Sequence, residues 1–165
     1  MKNLVILGAG TAGTMMANHL VKKLNKKDWQ ITLVDQFKSH YYQPGFLFIP
    51  FGTYQPEDVK RTIDEFLPKG IQLIREKIDR IDKDTDTVIL ENGRNVKYDI
   101  LIIATGCKIA PEEVPGMKGD TWQKNIFDFY TFEGSCALAK KLETWSGGKL
   151  VVHITEMPIK CPVAP

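Results

Sequence analysis

Three glycines near the start of the chain, Gly8, Gly10 and Gly13, have the spacing G-x-G-x-x-G. Residues 4–7 before them form an apolar run that predicts a buried strand, and residues 14–23 after them have the apolar spacing of a helix. In such a unit, Gly8 permits a tight turn, Gly10 lets a pyrophosphate approach the backbone, and Gly13 lets the helix pack closely on the strand. The helix N-terminus adds unpaired N–H groups and a partial positive charge. The pattern therefore predicts a phosphate-binding loop.

An acidic residue, Asp35, follows the next apolar strand pattern at 31–34 and lies 22 residues after Gly13. A carboxylate at this point of a βαβ unit can accept hydrogen bonds from both hydroxyls of an adenosine ribose, and it would repel a 2′-phosphate. Asp35 could instead cap a turn after an ordinary βαβ unit. Strand, glycine loop, helix and acid in this order favour a site for the ADP half of FAD or NAD.

The elements that must position this site continue in the middle of the chain, where residues 71–98 predict a small antiparallel β insert. Turns are expected at Asp82-Lys83-Asp84 and at Asn92-Gly93, and the second is a strong hairpin signal because apolar residues alternate around it. A last apolar strand at 100–104 leads into Thr105-Gly106. Together with the glycine-loop unit, these strands predict an α/β fold with a parallel central sheet.

Composition narrows the classes of function. The 165-residue chain is 43% hydrophobic and 25% charged, which is typical of a globular protein, and its net charge of +2 argues against a nucleic-acid partner. Three cysteines, an odd number, do not make a secreted disulfide framework. We expect neither a signal peptide nor a membrane-spanning run, and no group of residues has metal-ligand spacing, so no metal is expected. The expected location is the cytoplasm.

The motifs GAGTAG at 8–13 and IIATG at 102–106 together resemble the pyridine nucleotide–disulfide oxidoreductase superfamily, over the whole chain. The resemblance implies a doubly wound, Rossmann-like FAD-binding domain at 1–110, in which Thr105-Gly106 lies beside the FAD pyrophosphate. It also implies that a backbone amide near Ile78 contacts the adenine. An NAD-binding dehydrogenase domain is the alternative, but it would need neither the β insert nor the second motif.

Cysteine placement separates the members of this superfamily. No C-x-x-x-x-C pair lies near residue 40, where residues 40–45 read HYYQPG, so a glutathione-reductase-like disulfide is excluded. The segment is similar to loops of type II NADH dehydrogenases and of sulfide:quinone oxidoreductases. In that setting Pro44 is expected to contact the flavin, while His40 either approaches the flavin or belongs to an aromatic loop that buries itself.

The end of the chain favours the second of these groups. A helix is predicted at 132–145, and an apolar run at 149–154 predicts a buried strand that opens a second dinucleotide-type domain. No glycine lies between Gly148 and Pro165, and Pro158 and Pro162 each remove an N–H donor. A nicotinamide nucleotide would therefore lack a phosphate-binding loop there.

Residues 160–165, KCPVAP, resemble the K-C-x-x-A-P segment of sulfide:quinone oxidoreductases. The resemblance implies that Cys161 is one of two redox cysteines: sulfide or a related sulfur species attacks a disulfide, a persulfide remains on one cysteine, and two electrons reach a quinone through FAD. Tyr130 stands where some members have a third cysteine tied to covalent flavin, so FAD is expected to be non-covalent. A buried structural thiol is the alternative role for Cys161.

The resemblance covers the N-terminal part of such an enzyme. We therefore expect a truncated chain in which 111–165 begin a degenerate second domain, with the second redox cysteine, the quinone pocket and the membrane-contacting helices missing. Such a chain is expected to be inactive alone. Its alternative location is the inner face of the membrane, and it could form a homo-oligomer. The alternatives in function are a type II NADH dehydrogenase-like flavoprotein, the flavin subunit of a flavocytochrome sulfide dehydrogenase, and a non-catalytic flavin-binding module.

Overall fold

The computed structural model of the protein describes residues 1–155. As predicted, this part of the chain has an α/β fold, and it contains two α-helices and nine strands. The helices are α1 (Thr11–Lys23) and α2 (Phe132–Thr144). The strands are β1 (Lys2–Leu7), β2 (Trp29–Val34), β3 (Ser39–Tyr41), β4 (Lys60–Thr62), β5 (Ile71–Ile74), β6 (Ile78–Asp82), β7 (Thr87–Leu90), β8 (Asn95–Lys97) and β9 (Ile100–Ile103).

Four strands form a parallel sheet in the order β5-β2-β1-β9. In β1, the central strand, Leu4 pairs with Ile31 of β2 on one side and with Ile100 of β9 on the other. The residues of β1 from Leu4 to Leu7 are at most 3% exposed. Such a continuous apolar run is typical of a parallel strand that is buried on both faces.

Successive residues of β1 point to opposite faces of the sheet and enter two separate cores. Leu4 and Ile6 lie in a cluster with Ala17 of α1, while Val5 and Leu7 lie in a cluster with residues of β7. Burying an aliphatic side chain of this size stabilises the fold by about 1.5–3 kcal/mol. Helix α1 and the β insert are thus attached to the sheet from opposite sides, next to the loop that follows β1.

The antiparallel insert consists of β6, β7 and β8, and its bounds correct the prediction. It covers 78–97 rather than 71–98, because 71–74 form β5, which pairs in parallel with β2. A four-residue apolar run fits either kind of strand, and only its pairing partner decides between them. The predicted hairpin turn at Asn92-Gly93 is confirmed, and Gly93 has the positive φ of +82° that such a turn requires.

Contacts between residues divide the chain into two compact units. Residues 1–41 and 60–107 form the first unit, and residues 42–59 group with the chain from Lys108 onward in the second. The sequence predicts a division near residue 110 and gives no indication that 42–59 leaves the first unit. Strands β3 and β4 lie immediately before and after segment 42–59 in the chain, and they pair with each other with His40 opposite Arg61.

The second unit contains α2, which confirms the helix predicted at 132–145 to within one residue. Its N-cap is Thr131, whose hydroxyl accepts a hydrogen bond from the Gly134 N–H at 3.0 Å. The aromatic ring of Phe132 packs on that of Phe46, with ring centroids 6.0 Å apart. Segment 42–59 is therefore anchored to this helix by aromatic contact.

Residues 149–154, predicted to be a buried strand, do not form one. Their large apolar side chains are 49–74% exposed: Leu150, Val151, Val152 and Ile154. A strand needs a neighbour that pairs with its N–H and C=O groups, and residues 1–155 contain no strand that does so. Over the same residues, no helix combines the length and apolar character needed to cross a membrane.

Candidate dinucleotide-binding site

The glycine loop lies at the carboxyl ends of the parallel strands. The Gly8 N–H donates to the Val34 carbonyl at the end of β2, at 2.8 Å. On the other side, the Ala104 N–H after β9 donates to the Leu7 carbonyl, also at 2.8 Å. These bonds bring the glycine loop and the residues after β2 and β9 to one edge of the sheet, where proteins of this architecture bind ligands.

Two of the three glycines are required by the packing of the protein itself. Gly8 has a φ of +94°, and a Cβ at this position would overlap the carbonyl oxygen of Ala104 and lie 2.9 Å from the Cα of Thr105. A Cβ at Gly13 would overlap the carbonyl oxygen of Gly8. The structure therefore contains the tight turn and the close helix–strand packing that the spacing predicts.

Gly10 differs from both of its partners in the motif. Its φ of −70° is open to any residue, and within residues 1–155 no atom beyond its two chain neighbours lies within 4 Å of the position that a Cβ would occupy. Neither backbone conformation nor packing within residues 1–155 requires a glycine here. A group that approaches the backbone from outside would fill this space, which is the role expected of the second glycine beside a pyrophosphate.

Helix α1 begins at this open space. Its N-cap is Gly10, which offers no capping side chain, and its first turn contains no acidic residue. Lys22 and Lys23 lie in its last turn, where they complement the negative end of the helix dipole. The N-terminal N–H groups are thus left without a carboxylate from their own turn, and this end of the helix can receive an anion.

Asp35 is bound to the backbone on both of its carboxylate oxygens. Oδ2 accepts from the Ala9 N–H of the glycine loop at 2.6 Å, and Oδ1 accepts from the Phe37 N–H at 2.8 Å. The capping role that was the alternative for this residue is therefore present in the structure. A carboxylate has about four acceptor positions, so about two remain for ribose hydroxyls. Capping and ribose binding are compatible at Asp35.

His40 contacts the same loop, a contact that the sequence does not reveal. Its Nδ1 lies 3.1 Å from the carbonyl oxygen of Ala9, and its ring lies against that of Phe66 with centroids 4.5 Å apart. The side chain reaches the loop from β3, which is three residues long and pairs with an equally short β4. Strands this short have no recognisable periodicity, so no sequence signal marks the contact.

The remaining predicted cofactor contacts are distributed over the two units. Thr105 and Gly106 are exposed and follow β9 in the first unit, with Thr105 next to Gly8. Ile78 is the first residue of β6 and is half-buried against the core on the insert side of the sheet. Pro44 is exposed in a 3₁₀ helix of the second unit. Contact of these residues with a cofactor stays a prediction.

The cysteines are in different environments. Cys161, the predicted redox cysteine, lies outside the described residues. Cys107 is exposed with a free thiol, and Cys136 on α2 is a half-buried free thiol. Burial, with a smaller effect from Glu133 and Glu57, raises the pKa of Cys136. Over residues 1–155, no three His, Cys, Asp or Glu side chains are arranged to hold a metal ion.

Comparisons with known proteins agree with this geometry. A family model described as pyridine nucleotide-disulphide oxidoreductase matches residues 2–152. The sulfide-quinone reductase of Aquifex aeolicus is 32% identical over 143 residues, which are 86% of this chain and 31% of that protein. The X-ray structure of the sulfide:quinone oxidoreductase from Aquifex aeolicus matches with a TM-score of 0.70 and 30% identity, over 87% of this chain and 32% of that one.

A second class of relative is also present. A type II NADH:quinone oxidoreductase from Staphylococcus aureus is 28% identical over 123 residues, which are 74% of this chain and 30% of that protein. The chain spans about a third of the length of the curated relatives that it matches. The comparisons confirm the resemblance to sulfide:quinone oxidoreductases and the Rossmann-like fold class that the motifs predict. Because the family model covers nearly the whole chain, the protein belongs to the pyridine nucleotide-disulphide oxidoreductase family.

Proposed function

We propose that the chain binds FAD non-covalently and is the FAD-binding part of a sulfide:quinone oxidoreductase. The observation that carries the proposal is the open backbone at Gly10, which lies at the N-terminus of α1 and needs no glycine for the fold itself. Similarity to the Aquifex aeolicus enzyme supports the same function.

The loop from Gly8 to Gly13 is the proposed pyrophosphate site. Gly10 leaves the room that the phosphates need, and the N–H groups of α1 supply hydrogen bonds and a favourable dipole. Asp35 would accept from the ribose hydroxyls with the acceptor positions that its backbone bonds leave unused. Thr105-Gly106 would border the pyrophosphate from the β9 side.

Two further residues are proposed contacts for the rest of the cofactor. The backbone near Ile78, where the β insert begins, would face the adenine, and Pro44 would contact the flavin ring. We also propose that a FAD-binding domain ends near residue 110 and that 111–165 begins a second dinucleotide-type domain. Residues 149–165 would not supply a phosphate-binding loop for a nicotinamide nucleotide, because they contain no glycine.

Cys161 is the proposed redox residue of this chain. When bound, the flavin supplies a two-electron acceptor for sulfide oxidation and a two-electron donor for a quinone. A hydrosulfide ion would attack a disulfide that contains Cys161, so that the S–S bond breaks, one cysteine becomes a persulfide and the other leaves as a thiolate. Sulfide and a quinone are therefore the proposed partners, and the quinone places the site of reaction close to a membrane surface.

Cofactor binding is tested by titrating the flavin-free chain with FAD and following the flavin fluorescence. We expect saturable binding of one FAD per chain, and ADP is expected to compete because the proposed contacts are made with the ADP half. Circular dichroism recorded on the same sample shows whether the chain is folded. A folded chain that binds neither FAD nor ADP would contradict the proposal.

Sulfide chemistry is tested by recording the visible spectrum of the protein as the cell makes it, anaerobically, before and after sulfide or NADH. We expect sulfide to bleach the flavin band, NADH to leave it unchanged, and Cys161→Ser to abolish bleaching by sulfide while flavin is retained. Cys107→Ser is the matched control and is expected to behave like the wild type.

The second candidate function is that of a type II NADH:quinone oxidoreductase, which the similarity to the Staphylococcus aureus protein favours. Bleaching by NADH and not by sulfide would support it, and Cys161 would then be a structural thiol. A flavin that is bound but reduced by neither compound would indicate a non-catalytic flavin-binding module. The same spectra therefore separate all three functions.

A further inference from the structure

Ala9, the residue between the first two glycines of the loop, is held on both sides by side chains. Its N–H donates to Asp35 Oδ2 at 2.6 Å, and its carbonyl oxygen lies 3.1 Å from His40 Nδ1. Ala9 is only 1% exposed, and both bonds are partly buried. Hydrogen bonds of this kind fix the orientation of the two peptide units that flank Ala9.

The bond to His40 determines where the proton of the imidazole must be. A carbonyl oxygen only accepts hydrogen bonds, so the Nδ1 of His40 carries the hydrogen in this contact. The peptide unit is planar and trans, so the carbonyl of Ala9 and the N–H of Gly10 lie in one plane and point in opposite directions. Fixing the carbonyl with His40 therefore fixes the direction of the Gly10 N–H.

His40 is itself held in position from several sides. It lies in β3 opposite Arg61 of β4, and its ring packs against Phe66. The carbonyl of Phe66 accepts a hydrogen bond from Asn18 Nδ2 of α1 at 2.7 Å. The imidazole is thus connected to the helix that follows the glycine loop, and its position relative to the loop is set by the fold of the first unit.

We infer that His40 is a positioning residue of the dinucleotide site: its Nδ1–H holds the Ala9 carbonyl and, with Asp35 on the Ala9 N–H, orients the backbone at Gly10 for a pyrophosphate. The inference rests on the proposed binding of FAD at this loop. His40 acts through the backbone of Ala9, so its effect on binding comes from the orientation of the loop.

Two substitutions separate this role from simple packing. The side-chain nitrogen of asparagine lies close to the place of imidazole Nδ1, whereas the nitrogen of glutamine lies closer to that of Nε2. His40→Asn can therefore keep the bond to Ala9, and His40→Gln cannot. Both variants lose the ring contact with Phe66, so each serves as the packing control for the other.

The measurement is the dissociation constant of FAD for the full chain and its variants, with the melting temperature of each variant recorded in parallel. We expect His40→Gln and His40→Ala to bind FAD about fivefold more weakly, since a neutral hydrogen bond is lost, and His40→Asn to stay within about twofold of the wild type. Equal weakening in the asparagine and glutamine variants, or no weakening in either, would overturn the inference while leaving FAD binding established.

A second readout does not depend on FAD. A ¹⁵N–¹H correlation spectrum of the imidazole in the flavin-free chain reports which ring nitrogen carries the proton. We expect a protonated Nδ1 for His40, and a neutral ring protonated at Nε2 alone would overturn the inference. A chain with the expected tautomer that binds no FAD would overturn the proposed function and, with it, the role assigned to His40 in binding.

Discussion

Alanine substitution at the three motif glycines is expected to separate the residues that the fold needs from the residue that the ligand needs. At Gly13, a methyl group would overlap the backbone carbonyl oxygen of Gly8, and no flexible side chain is available to move away. Overpacking of this kind costs about 3 kcal/mol. For a chain of this length the melting temperature falls by about 2–4 °C per kcal/mol, so Gly13→Ala should melt about 6–12 °C lower.

At Gly10 the same change meets open space and an ordinary φ of −70°. Alanine lowers the conformational entropy of the unfolded chain, worth about 0.4–1 kcal/mol, and it is a poorer N-cap than glycine by a similar amount. The melting temperature of Gly10→Ala should therefore stay within about 2 °C of the wild type. FAD binding should weaken about 10- to 100-fold, because a charge-assisted phosphate contact is worth about 1.5–3 kcal/mol.

The assays are differential scanning fluorimetry for the melting temperature and fluorescence titration for the FAD dissociation constant. Gly119→Ala is the matched control, since its Cβ would also meet open space but lies in the second unit, outside the glycine loop. We expect it to change neither quantity. If Gly10→Ala melts as low as Gly13→Ala, or binds FAD as tightly as the wild type, the assignment of Gly10 to the phosphates is wrong.

Three other predictions use the same preparations. Asp35→Ala should weaken FAD binding about tenfold or more, since hydrogen bonds to a charged group are lost, and full flavin occupancy in this variant would reduce Asp35 to a cap. Iodoacetamide should label exposed Cys107 before Cys136, because the raised pKa of Cys136 leaves less thiolate at a given pH. Peptide mapping measures the order of labelling, and the reverse order would contradict the burial of Cys136. The Glu65 carboxylate accepts hydrogen bonds from the Thr62 N–H and hydroxyl, and these bonds lower its pKa from 4.5. The difference in melting temperature between the wild type and Glu65→Gln should therefore be present above pH 4.5 and disappear as the pH falls through the lowered pKa. A difference that is independent of pH would contradict this assignment.

The sequence predicts the glycine-loop unit well because its signals are local. Four consecutive apolar residues, 4–7, form a buried strand, and the steric demand at Gly13 comes from the carbonyl of Gly8 in the same loop. The steric demand at Gly8 comes from distant Ala104, but its positive φ is a property of the turn itself. The Asn92-Gly93 turn and α2 are predicted for the same reason, since turn chemistry and helical spacing act over a few residues.

The failures of prediction concern pairing between distant parts of the chain. The run 71–74 looks like part of a hairpin until its parallel partner, β2, is known. The run 149–154 has the composition of a buried strand but no partner among residues 1–155. The contact of His40 with Ala9 joins residues 31 positions apart through a three-residue strand, so no local pattern contains it.

The division of the chain into two units has a consequence for synthesis on the ribosome. The aromatic segment 42–59 belongs with α2, yet Phe46 leaves the ribosome 86 residues before its ring partner Phe132. At about 5–20 residues per second, this delay lasts about 4–17 s. During that interval the strands of the first unit up to β9 can assemble, while segment 42–59 does not yet have α2 to pack against. A chaperone that binds exposed aromatic segments could therefore contact 46–51 until α2 has been made.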